Sequence, residues 1–183
     1  MRGGLSRDQL AGLRALPEAD ALLRGIGAER VAMIDASTRV AWLPGAINFA
    51  IVETVYAVLG LEGGSAFYRE NFAKAYKTPM FRSLVAGALR LTRSDPGGLY
   101  KFVPRASALV FRGFGEFTVG ERTPHSVELR INDIPMRSFE HEAAWVRFAA
   151  ASNMTVLDVI GRDGSVEVDL QAAERSAVLT YRW

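Results

Sequence analysis

Apolar side chains recur at helical spacing through roughly the first hundred residues of this chain and at alternating spacing after them. Ser6, with Gln9 three residues on, makes a capping-box pattern for a first helix. Pro17 suits the first turn of a second short helix that Gly25 would end. The run RVAMID reads as a strand or an extended lead-in. AWLPG then introduces a longer helix over 45–59, stopped by Gly60 and the pair Gly63-Gly64. Ile47, Ile51, Val55, Val58 and Leu59 form its stripe and Phe49 and Val52 widen it, which predicts burial on most sides, with Asn48 and Glu53 as polar exceptions.

In SAFYRENFAKAYKTPMFRS, with Ser65 as N-cap, Tyr68, Phe72, Ala75 and Tyr76 fall on one helical face. Arg69, Glu70, Lys74 and Lys77 fall on the other. Nucleic-acid readers put rings and cations on the same face, so that bases stack where phosphates are held. The segregation here predicts a core helix with a solvated back and no nucleic-acid partner. After Thr78-Pro79 a further helix, PMFRSLVAGALRL, adds core residues.

Beyond SDPGG and a short helical LYKFV, the period changes. SALVFRGFGEFTV and HSVELRINDI read as strands joined by a GERTP loop, the second alternating Val127, Leu129 and Ile131 with Glu128 and Arg130. SFEHEAAWVRFAAASN reads as a helix with Phe139, Ala143, Val146 and Ala150 on one face and Asn153 as its C-terminal cap. TVLDVI, SVEVDL and AVLTYRW read as three more strands. The fold class is therefore α+β, with N-terminal helices packed on an antiparallel sheet and one late helix between strands. No repeat or linker divides the chain, so residues 1–183 are expected to form a single domain, with 1–27 as an N-terminal helical arm.

Composition narrows the function more than it names one. The 183 residues are 49% hydrophobic and 23% charged, and 22 basic against 20 acidic side chains leave a net charge of +2, too little for a phosphate-binding surface. Zero cysteines exclude disulfides, thiolate metal sites and Cys nucleophiles, and fit a reducing, cytoplasmic setting. The start, MRGGLSRDQL, lacks the apolar segment of a secretory signal, and the most apolar window, AINFAIVETVYAVLGL, carries Glu53 near its middle, so no membrane span is expected.

No catalytic signature emerges. HEAAW begins like the zinc-protease HExxH but has Trp145 where the second imidazole must stand. GFGEFTV resembles the start of a kinase glycine-rich loop, but Thr118 replaces the third glycine and no companion elements accompany it. There is no GxxxxGK[ST] loop and no GxSxG elbow. The chain is accordingly expected not to be an enzyme and to need no metal or other cofactor. A single axial imidazole suffices for haem, so His141 is the candidate ligand should haem be bound; a structural histidine is the plainer reading.

AWLPG, the block FYRENFAKAYKTPMFRSL, LYKFVP and a terminal strand closing on tryptophan resemble, in order over about residues 30 to 183, a family of short proteins duplicated in myxobacteria. More remotely the layout resembles the superfamily of vinyl-reductase-type ligand domains, haem nitric-oxide-binding sensors and TRAPP vesicle-tethering subunits. That resemblance implies a binding or scaffolding module, often dimeric through its helices. The haem sensors pair their proximal histidine with YxSxR, vinyl-reductase-type domains commonly place cysteines near their C-terminal strands, and the tethering subunits use a cysteine for acylation; this chain has neither the YxSxR pattern nor any cysteine.

The leading expectation is a non-enzymatic module with an apolar pocket for a small hydrophobic ligand or partner protein, lined by Trp42, Tyr68, Phe72, Tyr76 and Phe81. The plain alternative is that these five fill the core. Two other readings are a regulatory interaction subunit without a pocket and a haem-dependent gas sensor using His141. The apolar helix over 45–59 further suggests a homodimer through the N-terminal helical half.

Overall fold

A computed structural model describes residues 1–135 and 142–183. Eight helices and four strands occupy these residues: α1 (Gly3–Arg14), α2 (Ala19–Ile26), α3 (Ala28–Ala36), α4 (Gly45–Ala75), α5 (Pro79–Thr92), α6 (Pro96–Tyr100), α7 (Val103–Val110), β1 (Glu116–Arg122), β2 (Ser126–Asn132), α8 (Glu142–Val159), β3 (Ser165–Gln171) and β4 (Ser176–Arg182). The fold is α+β, helices first and an antiparallel sheet after them, with α8 inserted between β2 and β3.

The long apolar helix α4 is the spine. It bends at Gly60, whose φ of 68° and ψ of −173° lie in a region that only glycine occupies cheaply. Gly60 therefore kinks the helix instead of ending it, and the second segment resumes at once, leaving Ser65 inside the helix and not at its cap. Among the described residues α4 is the one helix long and apolar enough to cross a membrane. Its segments 45–59 and 61–75 are each shorter than the roughly 20 residues that a straight span requires. α1 and α2 fold back over the first segment and bury Leu10, Leu13, Leu22 and Ile26 with Ile51 and Val55. The second segment runs along α8, where Tyr68 stacks on Phe148 with ring centroids 4.8 Å apart. Gly64 permits that approach, because a Cβ there would overlap the Phe148 ring.

The sheet order is β1-β2-β4-β3, antiparallel throughout. Val127, Leu129 and Ile131 of β2 stand opposite Tyr181, Leu179 and Ala177 of β4, and all six are fully buried, as the alternation predicts. α8 packs along α4 and touches β3 and β4, so it sits between the helical half and the sheet.

Several sequence expectations are corrected here. RVAMID belongs to helix α3, a short apolar run whose period cannot by itself distinguish helix from strand. TVLDVI forms the last turns of α8, so the sheet has four strands among the described residues and not five. Thr155, Val156 and Leu157 are all buried in succession, which a helix enclosed on most sides allows and an alternating strand does not. For the same reason Asn153 is inside α8 and caps nothing. SALV is in α7 and only the later part of SALVFRGFGEFTV is strand. Ser6 lies inside α1, whose N-cap is Arg2. Ala143 is exposed, although Val146 and Ala150 of its expected face are buried. Phe139 and His141 lie outside the described residues.

Candidate functional site

Three small voids lie in a row between α4, α5, α7 and α8. The first, of about 40 Å³, is bounded by Gln9 of α1, Asn48, Tyr68 and Phe72 of α4, and Phe148, Ser152 and Asn153 of α8. The second, of about 20 Å³, shares Phe72, Ser107, Phe111 and Asn153 with it. The third, of about 50 Å³, shares Tyr76, Phe81, Val103 and Ala106 with the second and is otherwise walled by aliphatic groups such as Leu84, Leu99 and Val156. Among the described residues no charged side chain lines any of the three.

Polarity is concentrated at one end. Gln9, Asn48 and Tyr68 are 1, 2 and 4% exposed, and Gln9 Oε1, Asn48 Oδ1 and the Tyr68 hydroxyl have no hydrogen-bond partner. Asn71 Nδ2, also buried, has none either. Each such group costs about 1–3 kcal/mol when it gives up water without replacement. The other buried polar groups of this region are satisfied locally: Ser152 Oγ donates to the Phe148 carbonyl at 2.8 Å, and Thr155 Oγ1 donates to the Ser152 carbonyl at 2.6 Å. The Tyr100 and Tyr181 hydroxyls donate to the carbonyls of Asn153 and Ala150 at 3.3 and 3.2 Å. Gln9, Asn48 and Tyr68 of the unmatched set border the first void, whereas Asn71 lines none of the three. Burial pushes the Tyr68 phenol well above its ordinary pKa, so the hydroxyl stays protonated and able to donate.

Of the sequence candidates, Tyr68, Phe72, Tyr76 and Phe81 all line this row, with Tyr76 and Phe81 in edge contact at 5.9 Å. Arg69, Lys74 and Lys77 stay outside it, on the opposite face. Trp42 lines none of the voids. It stands in the segment before α4, bridged antiparallel to Arg2, with the guanidinium carbons of Arg2 and Arg112 at 4.1 and 3.9 Å from its ring centre. Sequence reasoning missed Gln9 and Asn48. The signal was there in Asn48, a polar residue on an otherwise apolar helix face, whereas Gln9 was masked by its fit to a capping box.

A larger groove, of about 570 Å³, opens on the surface between the second segment of α4, α8 and β3. Its polar lining is partnered in part, with Arg69 held to Asp158 across the α4–α8 contact at 2.5 Å. Among the described residues no group of three or more His, Cys, Asp or Glu could hold a metal ion.

No family model matches the chain, and no curated protein matches it, so the finer likeness to a myxobacterial family has no support from these comparisons. Solved structures do match, and they share the whole architecture. An Fe(II) unliganded H-NOX protein from K. algicida is 10% identical with a TM-score of 0.72, covering 100% of this chain and 96% of that one. An H-NOX protein from S. oneidensis in the Fe(II)NO ligation state is 11% identical with a TM-score of 0.69, covering 100% and 98%. A singly substituted Tt H-NOX is 15% identical with a TM-score of 0.64, covering 100% and 93%. At such identities the likeness shows the fold: this chain has the architecture of the haem-NO-binding domains.

Proposed function

We propose that this chain is a non-enzymatic sensory domain that binds a small molecule in the seam between its helical half and α8. The observation that carries the proposal is the end-to-end match to H-NOX domains together with a row of internal voids walled by four aromatic residues singled out from the sequence. These neighbours favour a ligand-binding role over a pocketless interaction subunit.

The same neighbours favour a second reading, a haem-dependent gas sensor, since their descriptions carry Fe(II), NO and haem. The described residues do not fit that group. A macrocycle the size of haem needs a cavity within the range of roughly 300–1,000 Å³ that drug-sized ligands and cofactors occupy. The seam voids, about 40, 20 and 50 Å³, suit only a ligand of a few heavy atoms. The chain has no cysteine, His125 is exposed in the β1–β2 turn, and His141, the other histidine, lies outside the described residues. Of the buried tyrosines, Tyr100 and Tyr181 already commit their hydroxyls to the carbonyls of Asn153 and Ala150. The surface groove has room, but no imidazole lines it among the described residues.

An absorption spectrum of the purified chain, before and after addition of reduced haem, tests the choice. The seam reading predicts no intense haem band at one equivalent per chain. Such a band, abolished by His141→Ala, would establish the haem reading instead.

A further inference from the structure

Resting on the reading of the seam as a ligand site, we infer the chemical class of its ligand: an uncharged amphipathic molecule whose head carries N–H donors and a carbonyl, such as a primary carboxamide, followed by a short aliphatic tail. The head belongs in the void bounded by Gln9, Asn48 and Tyr68. Two side-chain oxygens there lack donors and one hydroxyl lacks an acceptor. The complement of two acceptors and one donor is a group offering two N–H bonds and one carbonyl oxygen. A carboxylate could not donate to the two amide oxygens, and an ammonium could not accept from the phenol.

Charge is disfavoured for a second reason. Among the described residues no ionisable carboxylate, guanidinium or ammonium borders the row, so an ion placed in it would be stripped of water without a counter-charge. Beyond the head, the second void keeps Ser107 and Asn153 among aromatic walls, and the third is walled mainly by aliphatic groups. The rings of Phe72 and Tyr76 each border two neighbouring voids and so act as partitions. A tail passing along the row must turn these two rings, which puts the ligand in contact with the end of α4. Ordered water in the first void is the competing occupant, since water also satisfies unmatched buried groups.

The test is thermal unfolding of the full chain with four probes at about 10 mM: hexanamide, hexanoate, hexylammonium and hexane-1,6-diol, with binding strength read from midpoint shifts over a concentration series. Hexanamide is expected to raise the midpoint saturably, hexanoate and hexylammonium to leave it unchanged, and the diol to act more weakly. Tyr68→Phe should weaken hexanamide about tenfold, the loss of one neutral hydrogen bond. Asn48→Leu provides a second variant should the first fold poorly, and the head-group series on the unaltered chain stands without either. No shift with hexanamide, which would leave water as the occupant, or equal shifts with hexanoate or hexylammonium, overturns the inference. Stoichiometric haem uptake by absorbance would overturn the parent reading and is measured separately.

Discussion

Tyr68 brings together two features that rarely coexist in a packed interior, a ring stacked on Phe148 and a hydroxyl with no partner. Removing the hydroxyl alone should therefore cost nothing in the ligand-free protein. Tyr68→Phe is expected to leave stability unchanged or raise it by up to about 1–3 kcal/mol, the desolvation cost of an unsatisfied group. A loss above about 1 kcal/mol in denaturant melts would mean the hydroxyl is bonded in the resting state. Phe148→Ala, by contrast, should cost about 3–5 kcal/mol, since its ring is fully buried. The buried phenols also set an alkaline limit. Tyr68, Tyr100 and Tyr181 are shifted above the ordinary value of 10.0 by burial. A group whose folded pKa is raised contributes stability that is whole below the unfolded pKa and is lost as pH rises through the folded one. Tyrosinate absorbance should thus rise together with loss of circular dichroism above about pH 10. Ionisation of all the tyrosines at about pH 10 with the helical signal intact would contradict their burial.

At the scale of elements, glycines decide how α4 runs. Gly64→Ala should destabilise by about 1–3 kcal/mol through overlap with the Phe148 ring, and Gly60→Ala by a similar amount through its positive φ. Gly87 in α5 has open space around it and an ordinary φ, so Gly87→Ala should stabilise by about 1 kcal/mol. Three denaturant melts check the set, and destabilisation at Gly87 would show that the packing of α5 is misjudged. Gly60 also illustrates what a sequence conceals: a break is visible in it, but whether the chain stops or merely bends there depends on the α8 surface waiting beyond. β2 was legible residue by residue because one face is wet and the other buried. TVLDVI was not, because a helix enclosed on most sides loses its amphipathic period and leaves only β-branched composition, a weak guide. The aromatic face of α4 was legible, and Tyr68, Phe72, Tyr76 and Phe81 do gather on one seam. The polar end was hidden because Gln9 and Asn48 are brought together from two helices.

For the whole molecule, α1 and α2 cover the apolar helix on which a homodimer was anticipated, with Leu22 and Ile26 fully buried and Gly25 packed against Thr54. Deleting residues 1–24 should uncover that face and produce association or loss of cooperative unfolding, measurable by light scattering against the 20.0 kDa chain mass. A truncated chain with the same oligomeric state as the full chain and an unchanged melt would contradict the covering role. On the proposed reading, this H-NOX-like fold holds its ligand in the uncharged, amphipathic seam. Amide chemical-shift mapping with hexanamide on the full chain tests it most directly. Binding in the seam predicts saturable shifts at Gln9, Asn48, Tyr68, Phe72 and Asn153, with the surface groove at Glu62, Arg69 and Arg147 silent. Shifts confined to that groove, or none at all, would contradict it.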